Sequence, residues 1–173
     1  MGLGYFETLS KNMAGDRLEK LLDNLFEFAQ EVMDKHGIYP YVSFVVKDGV
    51  IVSRGYNRER ESRDVTSQGD VVAVRAAQVS LETGDLSGYT LVSLFEPTIL
   101  GFDVALWSGI RDFVWCINST SLPKHYNKLK YTPLDYAQKH PGEITIKHGL
   151  REPAGLDLVK QAKQHQLYPD NLL

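Results

Sequence analysis

The stretch TSQGDVVAVRAA (residues 66–77) holds polar side chains that could carry chemistry. Its apolar residues recur at helical spacing, which predicts a helix over 69–83. Thr66 and Ser67 are typical N-cap residues, and Asp70 falls near the first turn, where the helix dipole favours a negative charge. Asp70 is therefore a candidate acid–base group, although we favour the simpler interpretation of a carboxylate that stabilises the start of a helix.

The composition is that of an ordinary globular protein. The chain has 173 residues, 43% hydrophobic and 24% charged, which fits one domain with a sizeable core. Its net charge of −3 argues against a broad nucleic-acid-binding face, so nucleic acid is not an expected partner. Cys116 is the lone cysteine, so an intrachain disulfide is excluded. The sequence also has no signal-peptide pattern and no apolar run long enough to span a membrane. Together these features predict a cytoplasmic protein.

Helical and strand patterns alternate along the chain. They predict one domain over 1–173, with a core over about 15–117 and a C-terminal extension over 118–173. Two β-branched runs flank Asp48-Gly49, a strong hairpin signal. The expected helices and strands are: helix 15–36, strands 41–47 and 50–55, helix 69–83 ended by Gly84, strand 90–95, helix 99–110, strand 112–117, a short helix near 132–139, strand 143–149 and helix 152–167. This order favours a three-layer α/β/α domain with parallel pairing after the hairpin.

Three segments resemble the zinc-dependent nucleoside and nucleobase deaminases of the cytidine deaminase-like superfamily, most closely the guanine deaminase and tRNA adenosine deaminase branch. They are PYVSFVVKDGVIVSRGYNRERE, TSQGDVVAVRAA and SLFEPTILGFDVALWSGIRDFVW. The resemblance covers about residues 15–117 and continues more weakly in EITIKHGLREPAGLDL. It implies a five-stranded mixed sheet with strand order 2-1-3-4-5.

The resemblance also implies a zinc site, and this sequence departs from it. The family holds Zn²⁺ with a His and two Cys, and a Glu two residues after the His moves protons while a zinc-bound hydroxide attacks an amidine carbon. Gln68 stands at the His position, Asp70 at the Glu position, and Thr98 and Gly101 at the two Cys positions. We therefore predict that zinc is absent and that no other cofactor is required; Gln68, Asp70 and Thr98 remain the candidate catalytic residues. Gly69 fits a small residue facing the site, so we expect no local reason for it.

The resemblance assigns a substrate side to the site as well. The family uses the Asn after its G-Y/H pair to hold a polar edge of the substrate, and Asn57 matches it. Small residues of the first strand let the base approach, and here Val42 and Ser43 stand there. We expect Val42 to clash with a flat ring in the usual pose, and we group Glu96 of the E-P pair with these residues.

Other polar groups are weaker candidates. Asp70 and Asp103, with Gln68 and Thr98, offer oxygen ligands to a cation such as Mg²⁺, but too few carboxylates for a strong site. Cys116 in an apolar strand is expected to be buried and inert.

Further candidates lie in the last two thirds of the chain. Trp107 and Ile110 are expected to pack in the core between helix and sheet. His125, His140 and His148 are expected on the surface or in loops, with His148 the one most apt to enter the site. The basic stretch KHYNKLKY (124–131) is expected to be a solvated loop.

The sequence is compatible with three functions. The first is a pseudoenzyme that binds a nucleobase-like ligand or pairs with a deaminase-fold subunit, as a homodimer or heterodimer. The second is a metal-free enzyme in a biosynthetic pathway, using Asp70, Asn57, Gln68 and Thr98 at a helix N-terminus that suits developing negative charge. The third is a deaminase with an atypical site that hydrolyses a C–N bond of a cyclic amidine, which the single Cys argues against.

Overall fold

The computed structural model describes residues 15–122, 131–165 and 167. Four helices of nine residues or more cover a five-stranded sheet. The elements, in chain order, are α1 (Gly15–His36), β1 (Val42–Lys47), β2 (Val50–Tyr56), α2 (Glu59–Ser62), α3 (Gly69–Ser80), β3 (Thr90–Phe95), α4 (Ile99–Trp107), β4 (Asp112–Ile117), a 3₁₀ turn (Ser119–Ser121), α5 (Pro133–Lys139), β5 (Thr145–Lys147) and α6 (Glu152–Gln164).

The strand order is β2-β1-β3-β4-β5, as the resemblance implied. β1 pairs antiparallel with β2 and with β3, while β3–β4 and β4–β5 are parallel. The hairpin at Asp48-Gly49 forms as expected, with both residues at positive φ. The mixed sheet and its parallel half are therefore confirmed.

Strand alternation divides the core between the two faces of the sheet. Val42, Phe44 and Val46 of β1 pack in the cluster that contains α1 and α6. Val45 packs in the cluster on the other face, with α3 and α4. Because successive side chains of a strand point to opposite faces, Ser43 lies on the α3 side with Val45. The three-layer architecture follows from this alternation.

Several predicted element ends are wrong by two to three residues. α3 begins after Gln68, whose backbone is the N-cap, so Thr66 and Ser67 are not caps; both instead bond to Asp64. α3 ends at Ser80 rather than at residue 83, because Glu82 adopts a positive φ. α4 stops at Trp107, the last strand covers only Thr145–Lys147, and α6 ends at Gln164. The sequence did not predict α2 or the 3₁₀ turn.

Trp107 is the clearest error of core assignment. It is 81% exposed, whereas Ile110 is fully buried as expected. The buried face of α4 consists of Gly101, Phe102 and Ala105. At about 100° per residue, Trp107 lies on the opposite side of that helix.

In the described part of the chain, no helix is both long and apolar enough to cross a bilayer.

Candidate functional site

Asp70 lies at the base of the site, in the first turn of α3, and is 6% exposed. The hydroxyl of Ser43 on β1 donates to Asp70 Oδ1 at 2.6 Å and lies 2.9 Å from Ser93 Oγ on β3. Burial raises the pKa of Asp70, and hydrogen bonds from Ser43 and from backbone N–H groups of Thr98 and Asp70 itself oppose that rise. The carboxyl group is thus fixed to the sheet and favours its protonated form more than an exposed aspartate does.

Gln68 and Thr98 are joined directly. Each is the N-cap residue of its helix, Gln68 for α3 and Thr98 for α4. The Thr98 hydroxyl donates to Gln68 Oε1 at 2.6 Å and accepts from the Gly101 N–H at 3.1 Å. The two helices therefore begin side by side, and this hydrogen bond connects their starts.

Gly101 lies against the Asp70 side chain. A Cβ at residue 101 would stand 2.3 Å from Asp70 Oδ2, 2.6 Å from its Cβ and 2.8 Å from its Cγ. The carboxyl group of Asp70 thus occupies the space into which any side chain at 101 would project. The four positions singled out by the sequence, 68, 70, 98 and 101, do come together.

Gly69 has a local structural reason, contrary to expectation. A Cβ there would lie 2.6 Å from the carbonyl oxygen of Tyr41. The same carbonyl accepts the Asn57 N–H at 3.0 Å. Only glycine lets the start of α3 approach this backbone so closely.

A pocket of about 290 Å³, open to solvent, lies over these groups. Asn57 is 6% exposed, and its Oδ1 accepts the Glu59 N–H at 3.2 Å, so it also stabilises the turn after β2. Sequence reasoning missed Tyr41, although residues 41 and 43 share one face of an extended strand. The lining residues are Tyr41, Asn57, Glu59, Gln68, Gly69, Asp70 and Thr98.

A second pocket, open to solvent, adjoins the first and shares Tyr41 and Thr98 with it. Glu96 lines this second pocket and is 8% exposed. Its Oε2 accepts the Ser119 N–H at 2.8 Å. Ser119 was not predicted, because it lies outside the segments that resemble the family. Glu96 thus faces a space next to Asp70's pocket and not that pocket itself.

The remaining candidates lie elsewhere. Val42 is 1% exposed and packs in the core on the α1 side, so it does not narrow the pocket and the expected clash is wrong. Asp103 lies about 200° around α4 from Gly101, so it does not join Asp70 in a cation site. His148 stacks on Trp115 and bonds to Asn118, outside both pockets.

Two further predictions concern reactivity and surface position. Cys116 is buried, as expected, and burial raises its pKa to about 12, which disfavours the reactive thiolate. His140 stacks on Tyr136 and contacts Glu143 at the surface, as expected. The predictions for His125 and for the loop 124–130 fall outside the described residues.

Several proteins of known function resemble parts of this chain in sequence. A tRNA(Ile)-lysidine synthase from Deinococcus radiodurans is 30% identical over 106 residues, which are 61% of this chain and 18% of that protein. A tRNA-specific adenosine deaminase from Aquifex aeolicus is 27% identical over 117 residues, 68% of this chain and 66% of that protein. The chain thus spans less than two thirds of each relative. No protein-family model matches it.

Solved structures share the fold. A guanine deaminase from Nitrosomonas europaea superposes with a TM-score of 0.72 at 22% identity, over 82% of each chain. A structure from a study of tRNA:A34 deaminases superposes with a TM-score of 0.60 at 20% identity, over 75% of this chain and 91% of that one.

The chain therefore has the cytidine deaminase-like α/β fold, with its five-stranded mixed sheet in the order 2-1-3-4-5. The resemblance places the superfamily's zinc ligands at positions 68, 98 and 101. Zinc in proteins takes mainly imidazole nitrogen and thiolate sulfur, and here an amide, a hydroxyl and a glycine stand at those positions. Across the described ranges, no three His, Cys, Asp or Glu side chains are grouped as a metal site requires. This donor set does not fit zinc.

Proposed function

We propose that this chain is a deaminase-fold protein that holds no catalytic zinc and does not hydrolyse amino groups from nucleobases. In its place we propose a binding role, toward a nucleobase-like ligand or a second deaminase-fold subunit. The Thr98–Gln68 hydrogen bond carries the proposal. Its two oxygens are 2.6 Å apart, whereas two oxygen ligands at about 2.1 Å from a tetrahedral zinc lie roughly 3.4 Å apart.

The position of Asp70 supports the same proposal. A proton-moving carboxylate must face the reacting atoms, but Asp70 is one methylene shorter than Glu, and its Oδ1 accepts the Ser43 hydroxyl on the sheet. Its carboxyl group also fills the space next to Gly101 where a third ligand would project. Gln68 and Thr98 are thus hydrogen-bonded to each other, and Asp70 contacts Gly101 and Ser43 of β1.

Metal content and turnover test this proposal together. Protein expressed with added zinc and never exposed to chelator is measured by elemental mass spectrometry, and ammonia release is followed with guanine, adenosine and cytidine. We expect far less than one zinc per chain and no turnover above a no-protein control. About one zinc per chain that is lost in Gln68→Ala but kept in Gln78→Ala, on the same helix, would overturn the proposal. So would measurable deamination of any of the three substrates.

A second candidate function is a metal-free proton transfer by Asp70. The observation that favours it is a buried carboxyl group with a raised pKa lining the same pocket as Asn57 and Gln68. The test is a screen of nucleobase-like compounds for hydrolysis or tautomerisation. Asp70→Asn keeps the shape of the side chain, so loss of turnover in this variant would support this function. Equal turnover in the wild type and in Asp70→Asn would exclude Asp70 as the proton-transfer group.

We further propose a dimeric, cytoplasmic protein. Exposed apolar side chains on α3 and α4 support an interface, since Val79 is 79% and Trp107 81% exposed. Light scattering after size-exclusion chromatography tests the homodimer. A mass of one chain at every concentration would leave only pairing with a different deaminase-fold subunit.

A further inference from the structure

Glu96 has an unsatisfied carboxyl oxygen in the second pocket. Its Oε2 accepts the Ser119 N–H at 2.8 Å. Its Oε1 is buried and has no hydrogen-bond partner in the described structure, and the same holds for Ser119 Oγ. Burying a carboxylate oxygen without a donor is unfavourable, so a group that brings N–H donors to these two atoms would be stabilised there.

No basic residue in the described lining of the pocket balances this carboxyl group. The described lining residues include no lysine, arginine or histidine. The ion pairs found between residues 15–122 and 131–165 do not involve Glu96 either. Among the described residues, a cationic group from outside the chain would therefore meet a carboxyl group with no basic partner.

The walls of the pocket suit a flat cation. Tyr41 and Phe95 form one wall, with ring centroids 4.5 Å apart and planes inclined by 36°. Tyr131 forms another, and its ring already attracts the ammonium of Lys139, 4.5 Å from the centroid. Aromatic faces attract cations electrostatically, so a cation on Glu96 is favoured by its surroundings as well.

We propose that this pocket binds a planar guanidinium or amidinium group. One N–H donates to Glu96 Oε1 and a second to Ser119 Oγ, while the plane of the group lies against the aromatic walls. A planar fork of donors matches two neighbouring acceptors better than a single ammonium does. Because Oε1 is out of contact with water in this conformation, entry requires a wall side chain to move. The site does not involve positions 68, 70 or 101, so it goes beyond the proposed loss of zinc chemistry.

Benzamidine and benzamide form a matched pair of probes, because both are flat and similar in size but only benzamidine is charged. Isothermal titration compares the wild type with Glu96→Gln, which keeps an acceptor for the Ser119 N–H, and with Glu143→Gln, an exposed carboxylate elsewhere. We expect saturable benzamidine binding that is at least about tenfold tighter than benzamide binding. The affinity for benzamidine should fall at least about tenfold in Glu96→Gln, by less in Ser119→Ala, and not at all in Glu143→Gln.

Two further probes distinguish the source of the group. Agmatine represents a free guanidino compound, and a capped Gly-Arg-Gly peptide represents an arginine side chain of a protein; the tighter binder identifies the source. Thermal melts establish that each variant is folded. The proposal is overturned if neither benzamidine, agmatine nor the peptide binds saturably, if benzamide binds as tightly as benzamidine, or if folded Glu96→Gln binds like the wild type.

Discussion

Gly101→Ala tests whether Asp70 has taken the space of a lost ligand side chain. The new Cβ would lie 2.6 Å from Asp70 Cβ and 2.3 Å from Oδ2, whereas carbon atoms in contact prefer about 3.5–4.0 Å. The carboxyl oxygen can rotate away, but Asp70 Cβ is fixed to α3. The starts of α3 and α4 must therefore separate by about 1 Å to relieve the contact.

The cost has two parts. Overpacking of this size costs about 1–3 kcal/mol. Displacing the carboxyl group also weakens the 2.6 Å hydrogen bond from Ser43, and a bond to a charged group contributes about 1.5–3 kcal/mol. We therefore expect Gly101→Ala to lower the free energy of unfolding by about 2–5 kcal/mol.

A double-mutant cycle isolates the contact with Asp70. Asp70→Gly removes all three contacting atoms, so Gly101→Ala in that background should cost less than about 1 kcal/mol, and the coupling energy, the difference between the two costs, should be about 1–5 kcal/mol. Asp70→Ala keeps the Cβ and should recover only part of the loss. Urea denaturation followed by circular dichroism gives each value.

Gly84→Ala is the matched control, because a Cβ there meets nothing within 4 Å. The reasoning is refuted if the free energy of unfolding of Gly101→Ala lies within about 0.5 kcal/mol of the wild-type value. It is also refuted if the cost is the same with and without the Asp70 side chain, because the clash would then involve other atoms.

Three further outcomes are expected. Thr98→Val removes both the N-cap bond of α4 and the bond to Gln68, and should cost about 1–2 kcal/mol in urea denaturation, whereas Thr98→Ser keeps both; equal losses would contradict this role. Folding raises the pKa of Asp70, so protonation of its carboxyl group stabilises the fold below the unfolded pKa of about 3.9, and this stability is lost as pH rises through the folded pKa. The unfolding free energy of the wild type should therefore rise relative to that of Asp70→Asn as pH falls from 7 to 4. A difference between the two proteins that does not change with pH would contradict the raised pKa. Trp107→Phe should change the unfolding free energy of the single chain by less than about 0.5 kcal/mol and leave a blue-shifted emission from buried Trp115, and a larger loss at concentrations where only single chains are present would contradict the exposed position of Trp107.

Much of the fold could be predicted from the sequence, because its signals are local. Apolar periodicity placed α1 over 15–36, and the Asp48-Gly49 turn fixed the antiparallel hairpin. The motif resemblance predicted that positions 68, 70, 98 and 101 lie together, and it implied the strand order that the sheet has. The element ends were less well predicted, since a helix ends where backbone conformation changes, as at Glu82, and periodicity does not report that.

The site was predicted as a set of positions but not as a set of contacts. The sequence by itself determined which groups are available: no imidazole and no thiolate pair at the ligand positions, and one short carboxylate. The tertiary structure decided what those groups do. Thr98 bonds to Gln68 because the two helices begin side by side, and Gly69 is required because α3 meets the Tyr41 carbonyl.

Glu96 shows the same division. The sequence supplied an E-P pair after a buried strand, and that pattern gives no sign of an unsatisfied oxygen. Its environment comes from Ser119, 23 residues later, and from aromatic rings on separate segments of the chain. Side-chain types and local periodicity are properties of neighbouring residues, whereas hydrogen-bond satisfaction, burial and charge balance depend on residues distant in sequence, which only folding brings together.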